Sequence, residues 1–326
     1  MIATYQRIDY LRKLMISLEK AYSEKISELI SLRVDMRVCV NGQDADTVEF
    51  LQSYSSQYIK REVVVLNEKT TPAHARNLVA QTIKADWILF LDDDVAVPID
   101  FFKNFMNLST SNTSIDVWGG PNLTPVDSSP VEQLIGLVLE SFWIVGPVSF
   151  RYKFNNSDFK KTDDFGLSLC NLFIKTEKFK LFMFNPALVT AEENELLYRL
   201  TQHKDHIAFS DLLYVWHYRR KSTILFLRQI RNYGVGRGQL LFEKKTNGKY
   251  IFLALLSSVV ISLFFIKWPI AALILAIFWP LIFLKEAKRK TNTLLSRQLY
   301  VLPWSVWLNY TIGLVKGFTF QLKQRQ

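Results

Sequence analysis

Through the first 120 residues, short apolar runs alternate with stretches whose apolar residues recur every three or four positions. The runs Met1–Thr4, Met36–Val40, Glu62–Leu66, Trp87–Leu91 and Ile115–Gly119 read as strands, and 8–30, 44–58, 72–84 and 98–108 read as helices between them. The third helix opens on Thr71-Pro72, a hydroxyl N-cap with proline at the first helical position, where a missing N–H costs nothing. Such alternation predicts an α/β fold, a mostly parallel sheet flanked by helices. The first strand is short, which raises the expectation that a few residues precede Met1 in the natural chain.

Beyond residue 120 the pattern changes. Pro121, Pro125, Pro130 and Pro147, with the pair Asp163-Asp164, predict a loop-like stretch from about 120 to 165. Regular structure resumes with a strand at Ser168–Ile174, a helix near 192–203 and a strand at Leu212–His217. Tyr250–Ile266 and Trp268–Leu284 then each run 17 residues without a charge, separated by Lys267. That length is at the short end of a bilayer span, roughly 17–25 residues. With Trp268-Pro269 as an interfacial turn, a transmembrane helical hairpin is expected over 250–284. A buried soluble hairpin is the alternative. Lys244, Lys245 and Lys249 before it, and Lys285, Lys288, Arg289 and Lys290 after it, weigh against that and put both ends on the cytoplasmic side of the inner membrane. Leu299–Phe320, with Trp304, Trp307, Asn309 and Lys316, fits a third span or an interfacial helix, and the basic tail Lys323/Arg325 favours the latter. The expected division is an α/β domain at 1–216, a basic membrane-surface segment at 217–249, the hairpin at 250–284, and a basic loop with the last membrane-associated helix at 285–326.

Composition sharpens this division. An apolar content of 49% with 14% aromatics excludes a disordered chain. The net charge is +10, yet 217–249 and 285–326 together hold +15 and Lys267 adds +1, which leaves 1–216 at −6. Basic segments flanking apolar runs imply anionic membrane lipid as a partner and exclude nucleic acid. Cys39 and Cys170 both fall in predicted buried strands, so neither a disulfide framework nor a zinc site is implied. No signal peptide is read at the start, and the α/β domain is expected in the reducing cytosol.

The candidate chemistry begins at Asp92-Asp93-Asp94, which ends the run Trp87–Leu91. Acid runs are ordinarily solvated turns. At the carboxyl end of a buried strand, however, an open α/β sheet presents its ligands. Two carboxylates one residue apart can hold a hard divalent cation, which most often neutralises substrate phosphates.

Six segments in order resemble the family 2 glycosyltransferases across roughly residues 1–240. They are Ile2-Ala3-Thr4-Tyr5-Gln6-Arg7, Ala75-Arg76-Asn77, Phe90-Leu91-Asp92-Asp93-Asp94, Gly119-Gly120-Pro121, Glu192-Glu193-Asn194-Glu195-Leu196 followed by Arg199, and His217-Tyr218-Arg219 followed by Tyr233-Gly234-Val235-Gly236. The resemblance implies the GT-A nucleotide-diphospho-sugar transferase fold, a nucleotide-sugar donor, a glycan or polyprenyl-linked acceptor, and Mn2+ or Mg2+ as cofactor. It makes Asp94 the metal ligand, with Asp92 and Asp93 on the donor side. His217 would complete the metal shell or touch the diphosphate; packing against Tyr and Trp is the alternative. Glu193 aligns with the catalytic base, with Glu192 as its neighbouring candidate; the alternative is an acidic first helical turn favoured by the dipole. Thr4, Asn41 and Arg76 would line the donor pocket, Arg76 having a structural ion pair as its alternative. Members of the family commonly carry an aspartate after the second strand, where this chain reads Val40-Asn41-Gly42; Asn41 can bond an imide edge instead.

The cluster Arg219-Arg220-Lys221 and the stretch Ile224–Leu241, with Arg228, Arg231 and Arg237, would lie on the membrane, either presenting a lipid-linked acceptor or merely anchoring the chain. The expected activity is metal-dependent inverting glycosyl transfer in cell-envelope or exopolysaccharide synthesis. An inactive scaffold of an assembly complex and a membrane-tethered nucleotidyl- or phosphotransferase are the alternatives.

Overall fold

The computed structural model describes residues 1–243 apart from 30 and 189, residues 296–324, and five isolated positions between 267 and 281. The hairpin expected at 250–284 therefore lies outside the described residues but for those five. The chain divides into two compact units, Met1–Leu123 with Lys153–Tyr218, and Thr124–Tyr152 with Arg219–Gln326.

The strands are β1 (Ile2–Thr4), β2 (Asp35–Asn41), β3 (Lys60–Leu66), β4 (Trp87–Asp92), β5 (Val95–Ala96), β6 (Val117–Gly119), β7 (Asn122–Leu123), β8 (Lys160–Lys161), β9 (Asn171–Lys175), β10 (Ile207–Phe209) and β11 (Val215–His217). The helices are α1 (Ile8–Ser23), α2 (Ala45–Ser53), α3 (Pro72–Ala80), α4 (Phe101–Ser111), α5 (Pro130–Glu140), α6 (Phe142–Val145), α7 (Thr176–Phe182), α8 (Glu192–Gln202), α9 (Thr223–Phe242) and α10 (Ser296–Gln324).

In the first unit the described residues form a sheet ordered β3-β2-β1-β4-β9-β6-β10-β8. β3, β2, β1 and β4 run parallel, β9 is antiparallel to both β4 and β6, and β8 is antiparallel at the edge. The sheet is thus mixed, with its parallel half at the N-terminal end of the chain. β4 is central, between β1 and β9, and packed on both faces, Trp87 against Phe105 and Phe90 against Phe179 and Phe184, which is why its run is almost wholly apolar. α4 seals it: Phe105 stacks on Phe173 of β9 at 3.8 Å, and Trp87 meets Phe105 edge-on at 5.2 Å. Burial of Phe105 and Phe173 contributes about 1.5–3 kcal/mol each. A second, three-stranded sheet is ordered β5-β11-β7.

α1 stops at Ser23, short of the expected residue 30, and the chain continues to Leu29 in hydrogen-bonded turns. A larger departure lies in 120–165, expected to be loop-like. α5 starts there on a full capping box, with Ser129 accepting from the Glu132 N–H and the Glu132 carboxylate accepting from the Ser129 N–H. Pro130 is at its first position, so the proline that looked like a breaker is a helix start.

α5 belongs to the second unit. Its Leu134, Ile135 and Val138 form a core with Phe226 and Ile230 of α9 and Leu302 and Val306 of α10. α9 and α10 meet through glycines: a Cβ on Gly238 would lie 2.2 Å from the Leu314 carbonyl oxygen, and one on Gly317 2.0 Å from that of Val235. Only the absence of side chains lets the two backbones touch. Among the described residues no single helix is long and apolar enough to cross a membrane. The pair Pro130–Glu140 and Phe142–Tyr152, bent by 65°, passes together on length and composition.

Candidate active site

β1, β2 and β4 run parallel, so Thr4, Asn41 and the acid run all stand at one edge of the sheet. Asp93 points inward and is buried; it accepts from the Thr4 hydroxyl at 2.9 Å and from Arg7 Nη1 at 2.5 Å. Burial pushes its pKa up to about 6 against the pull of Arg7, with the neighbouring Asp94 charge adding to the rise. The same Arg7 nitrogen lies 3.0 Å from Asp94 Oδ2. Asp94 Oδ1 is 3.0 Å from His217 Nε2.

His217 reaches that position through the small sheet. β11 pairs antiparallel with β5, setting His217 opposite Val95, and the Tyr218 N–H donates to the Asp94 carbonyl at 2.9 Å. Gly120 permits the approach of the preceding turn: a Cβ there would sit 2.5 Å from both the Ser210 and Leu213 carbonyl oxygens. Asp92, Asp94 and His217 can each offer one ligand atom, all within 4.8 Å of one another. Two carboxylate oxygens and one imidazole nitrogen suit a hard or borderline divalent cation such as Mn2+ or Mg2+.

Asp92 also accepts from Arg76 Nη2 at 3.0 Å, and Arg76 Nη1 donates to Glu192 at 2.9 Å. The guanidinium is buried and bridges the acid run to the start of α8, 116 residues away from it in sequence. The structural ion pair weighed for Arg76 is therefore present; its buried Nε has no hydrogen-bond partner among the described residues. Asn77, next to it, donates to the Phe184 carbonyl at 2.8 Å and accepts from the Phe184 N–H at 3.0 Å. Together with Thr71 donating to Pro186, this ties α3 to the segment leading into α8.

α8 begins after Ala191, whose φ of 64° is a left-handed conformation that costs a non-glycine residue about 1–2 kcal/mol. Glu192 follows, wholly buried on Arg76. Burial pushes its pKa up to about 7, with Arg76 opposing and Glu193 adding to the shift. Glu193 is half-buried and retains solvent access. The two glutamates are thus unequal: one is committed to an internal ion pair, and the next is partly exposed.

Asn41 is engaged at both ends of its amide, donating to the Thr70 carbonyl and accepting from the Thr70 N–H, each at 3.0 Å. It closes the loops after β2 and β3 on each other. Two contributors carried no role in the sequence reading. Arg7 is one, its signal being a lone base after the first strand and opposite three acids. Asp44 is the other: it caps α2 through Thr47 and accepts from the Gln6 N–H at 2.6 Å, holding the left-handed turn at Gln6, φ 54°.

The sequence profile of Glycosyl transferase family 2 matches residues 1–182, more than half of the chain. That span holds the acid run and Arg76 and ends before Glu192, Glu193 and His217. No curated protein sequence matches. Among solved structures, the fold is similar to the mannosyltransferase PcManGT from Pyrobaculum calidifontis in complex with GDP-Man and Mn2+, at 12% identity and a TM-score of 0.56 over 100% of this chain and 86% of that one. It is also similar to S. aureus TarS 1–349 in complex with UDP-GlcNAc, at 16% identity and a TM-score of 0.51, covering 100% of this chain and 91% of that one.

Proposed function

Because the chain belongs to glycosyl transferase family 2, we propose that it moves a sugar from a nucleotide-sugar donor onto a glycan or lipid-linked acceptor, with inversion at the anomeric carbon and Mn2+ or Mg2+ as cofactor. The observation that carries this is the convergence of Asp92, Asp94 and His217, with Arg76 bridging Asp92 to Glu192 at the start of α8.

A cation held by Asp92, Asp94 and His217 would offset the charge that gathers on the departing diphosphate. Glu193 takes the proton of the acceptor hydroxyl. The acceptor oxygen then bonds to the anomeric carbon as the bond from that carbon to the diphosphate oxygen breaks, and the electron pair leaves with the nucleoside diphosphate. Arg76 and Glu192 hold Asp92 and the start of α8 at a fixed spacing, and Thr4 and Arg7 keep Asp93 satisfied beneath the site. Asn41 shapes the loop that would receive the nucleotide.

The test is a thermal melt of the full chain in detergent with UDP or GDP, with and without Mn2+. A ligand at a hundred times its Kd adds about 2.7 kcal/mol, a rise of roughly 5 °C. That rise is expected only when metal and nucleotide are both present. No rise with any nucleoside diphosphate would favour the scaffold alternative.

We also place the enzyme at the cytoplasmic face of the inner membrane, in cell-envelope or exopolysaccharide synthesis. Support comes from the basic flanks of the apolar runs and from α10. Its Val301, Leu308, Val315 and Leu322 recur every seven residues and are 45–63% exposed, an apolar line about 30 Å long suited to a lipid surface. The full chain is expected to stay in the membrane pellet through an alkaline carbonate wash; recovery in the supernatant would remove the spanning hairpin.

A further inference from the structure

Both oxygens of Asp94 already face a partner. Oδ1 faces His217 and Oδ2 faces Arg7, each at 3.0 Å. Arg7 Nη1 simultaneously holds Asp93, which Thr4 secures from the other side. The Arg7 side chain is 30% exposed, against 4% for that of Asp94, and its guanidinium carbon lies 5.8 Å from the centre of the Tyr10 ring. Arg7 is thus the more solvent-accessible partner of the acid pair.

We propose that Arg7 is a resident counter-charge of the metal site, occupying Asp94 Oδ2 until donor and cation arrive together. This deepens the metal-dependent reading above and rests on it. An arriving divalent cation meets two obstacles set by this residue. One is an ion pair at 3.0 Å that already neutralises the Oδ2 side of the carboxylate and crowds a cation approaching it, and the other is the repulsion of a positive charge at contact distance. The nucleotide diphosphate removes both, because its phosphate oxygens offer the guanidinium a new bidentate partner. Arg7 keeps Asp93 throughout, so the buried carboxylate beneath the site stays paired. Cation and donor then bind each better in the presence of the other, a coupling that thermodynamic linkage makes reciprocal.

The experiment is calorimetric titration of the full chain with Mn2+ alone, checked by the loss of the free Mn2+ paramagnetic signal. Arg7→Met is expected to bind Mn2+ about tenfold more tightly than the parent, and Arg7→Lys to fall between, since the charge persists without the fork. A merely damaged site loses affinity, so a gain is specific to removal of a competitor. Should Arg7→Met fail to fold, Arg7→Gln removes the charge while keeping a hydrogen-bond donor toward Asp93, and the same gain is expected. Equal or weaker Mn2+ binding in the charge-free variants overturns the assignment of Arg7 while leaving the metal site standing. Absence of Mn2+ binding in parent and variants alike, with or without UDP or GDP, overturns the metal-dependent reading and this inference with it.

Discussion

Asp94→Ala is expected to lower the rate of nucleoside diphosphate release by about three orders of magnitude, equivalent to about 4 kcal/mol of transition-state stabilisation. The size follows from its position. Asp94 is buried, faces His217 with one oxygen and Arg7 with the other, and is the one member of the acid run that meets both. Removing it would leave a cation only Asp92 and an imidazole that no longer faces the Asp94 carboxylate. The fold should persist, because Arg7 still has Asp93, and Thr4 still donates to it. A melt close to that of the parent, together with loss of metal-dependent nucleotide binding, is the expected pair of results. Near-parent turnover would take Asp94 out of the site.

The second large effect separates the two glutamates. Glu193→Gln keeps shape and hydrogen bonding but cannot accept the acceptor proton, and a fall of about 10²–10⁴ in turnover with donor binding unchanged is expected. Glu192→Gln acts differently, because Glu192 lies in the interior against Arg76. Its turnover should fall less, by about tenfold, through loss of the Arg76 bridge.

The pH dependence of stability supplies a readout that catalysis does not touch. The folded pKa of Glu192, about 7, lies above its ordinary 4.5, so the folded chain holds the proton that the unfolded chain releases. That contribution is fully present below about 4.5 and is lost as the pH rises through 7. Urea unfolding of the metal-free protein should therefore show stability declining over this window, to which buried Asp93, raised to about 6, also contributes. Glu192→Gln should remove its share of the decline, while Glu193→Gln, whose charge is a lesser cause of the Glu192 rise than burial, should reduce it only slightly. Equal turnover losses, with no difference in the pH profiles, would contradict the division of roles.

The sequence revealed the parts of this site that depend on local pattern. An apolar run ending in acids placed Asp92, Asp93 and Asp94 at the mouth of a central strand, and Thr71-Pro72 marked the start of α3. What it could not show were partners chosen by distance in the chain. Arg7 finds Asp93 across 86 residues, and Asn41 spends its amide on Thr70, 29 residues away. His217 is brought to Asp94 by the pairing of β11 with β5, a strand too short to leave a periodic trace. α5 was overlooked for another reason: its proline was read as an interruption, although Ser129 and Glu132 already spelled a capping box. The hairpin expected at 250–284 rests on composition alone.

The second unit draws on two distant stretches of chain, and this governs how the protein can be shortened. A fragment ending at Tyr218 would retain every residue of the proposed donor site yet carry α5 without its companions. Leu134, Ile135 and Val138 would lose Phe226, Ile230, Leu302 and Val306, and face water. Such a fragment would clump during purification, whereas one that also excises 124–152 and rejoins its neighbours with a short flexible bridge has no orphaned apolar helix to drive it together.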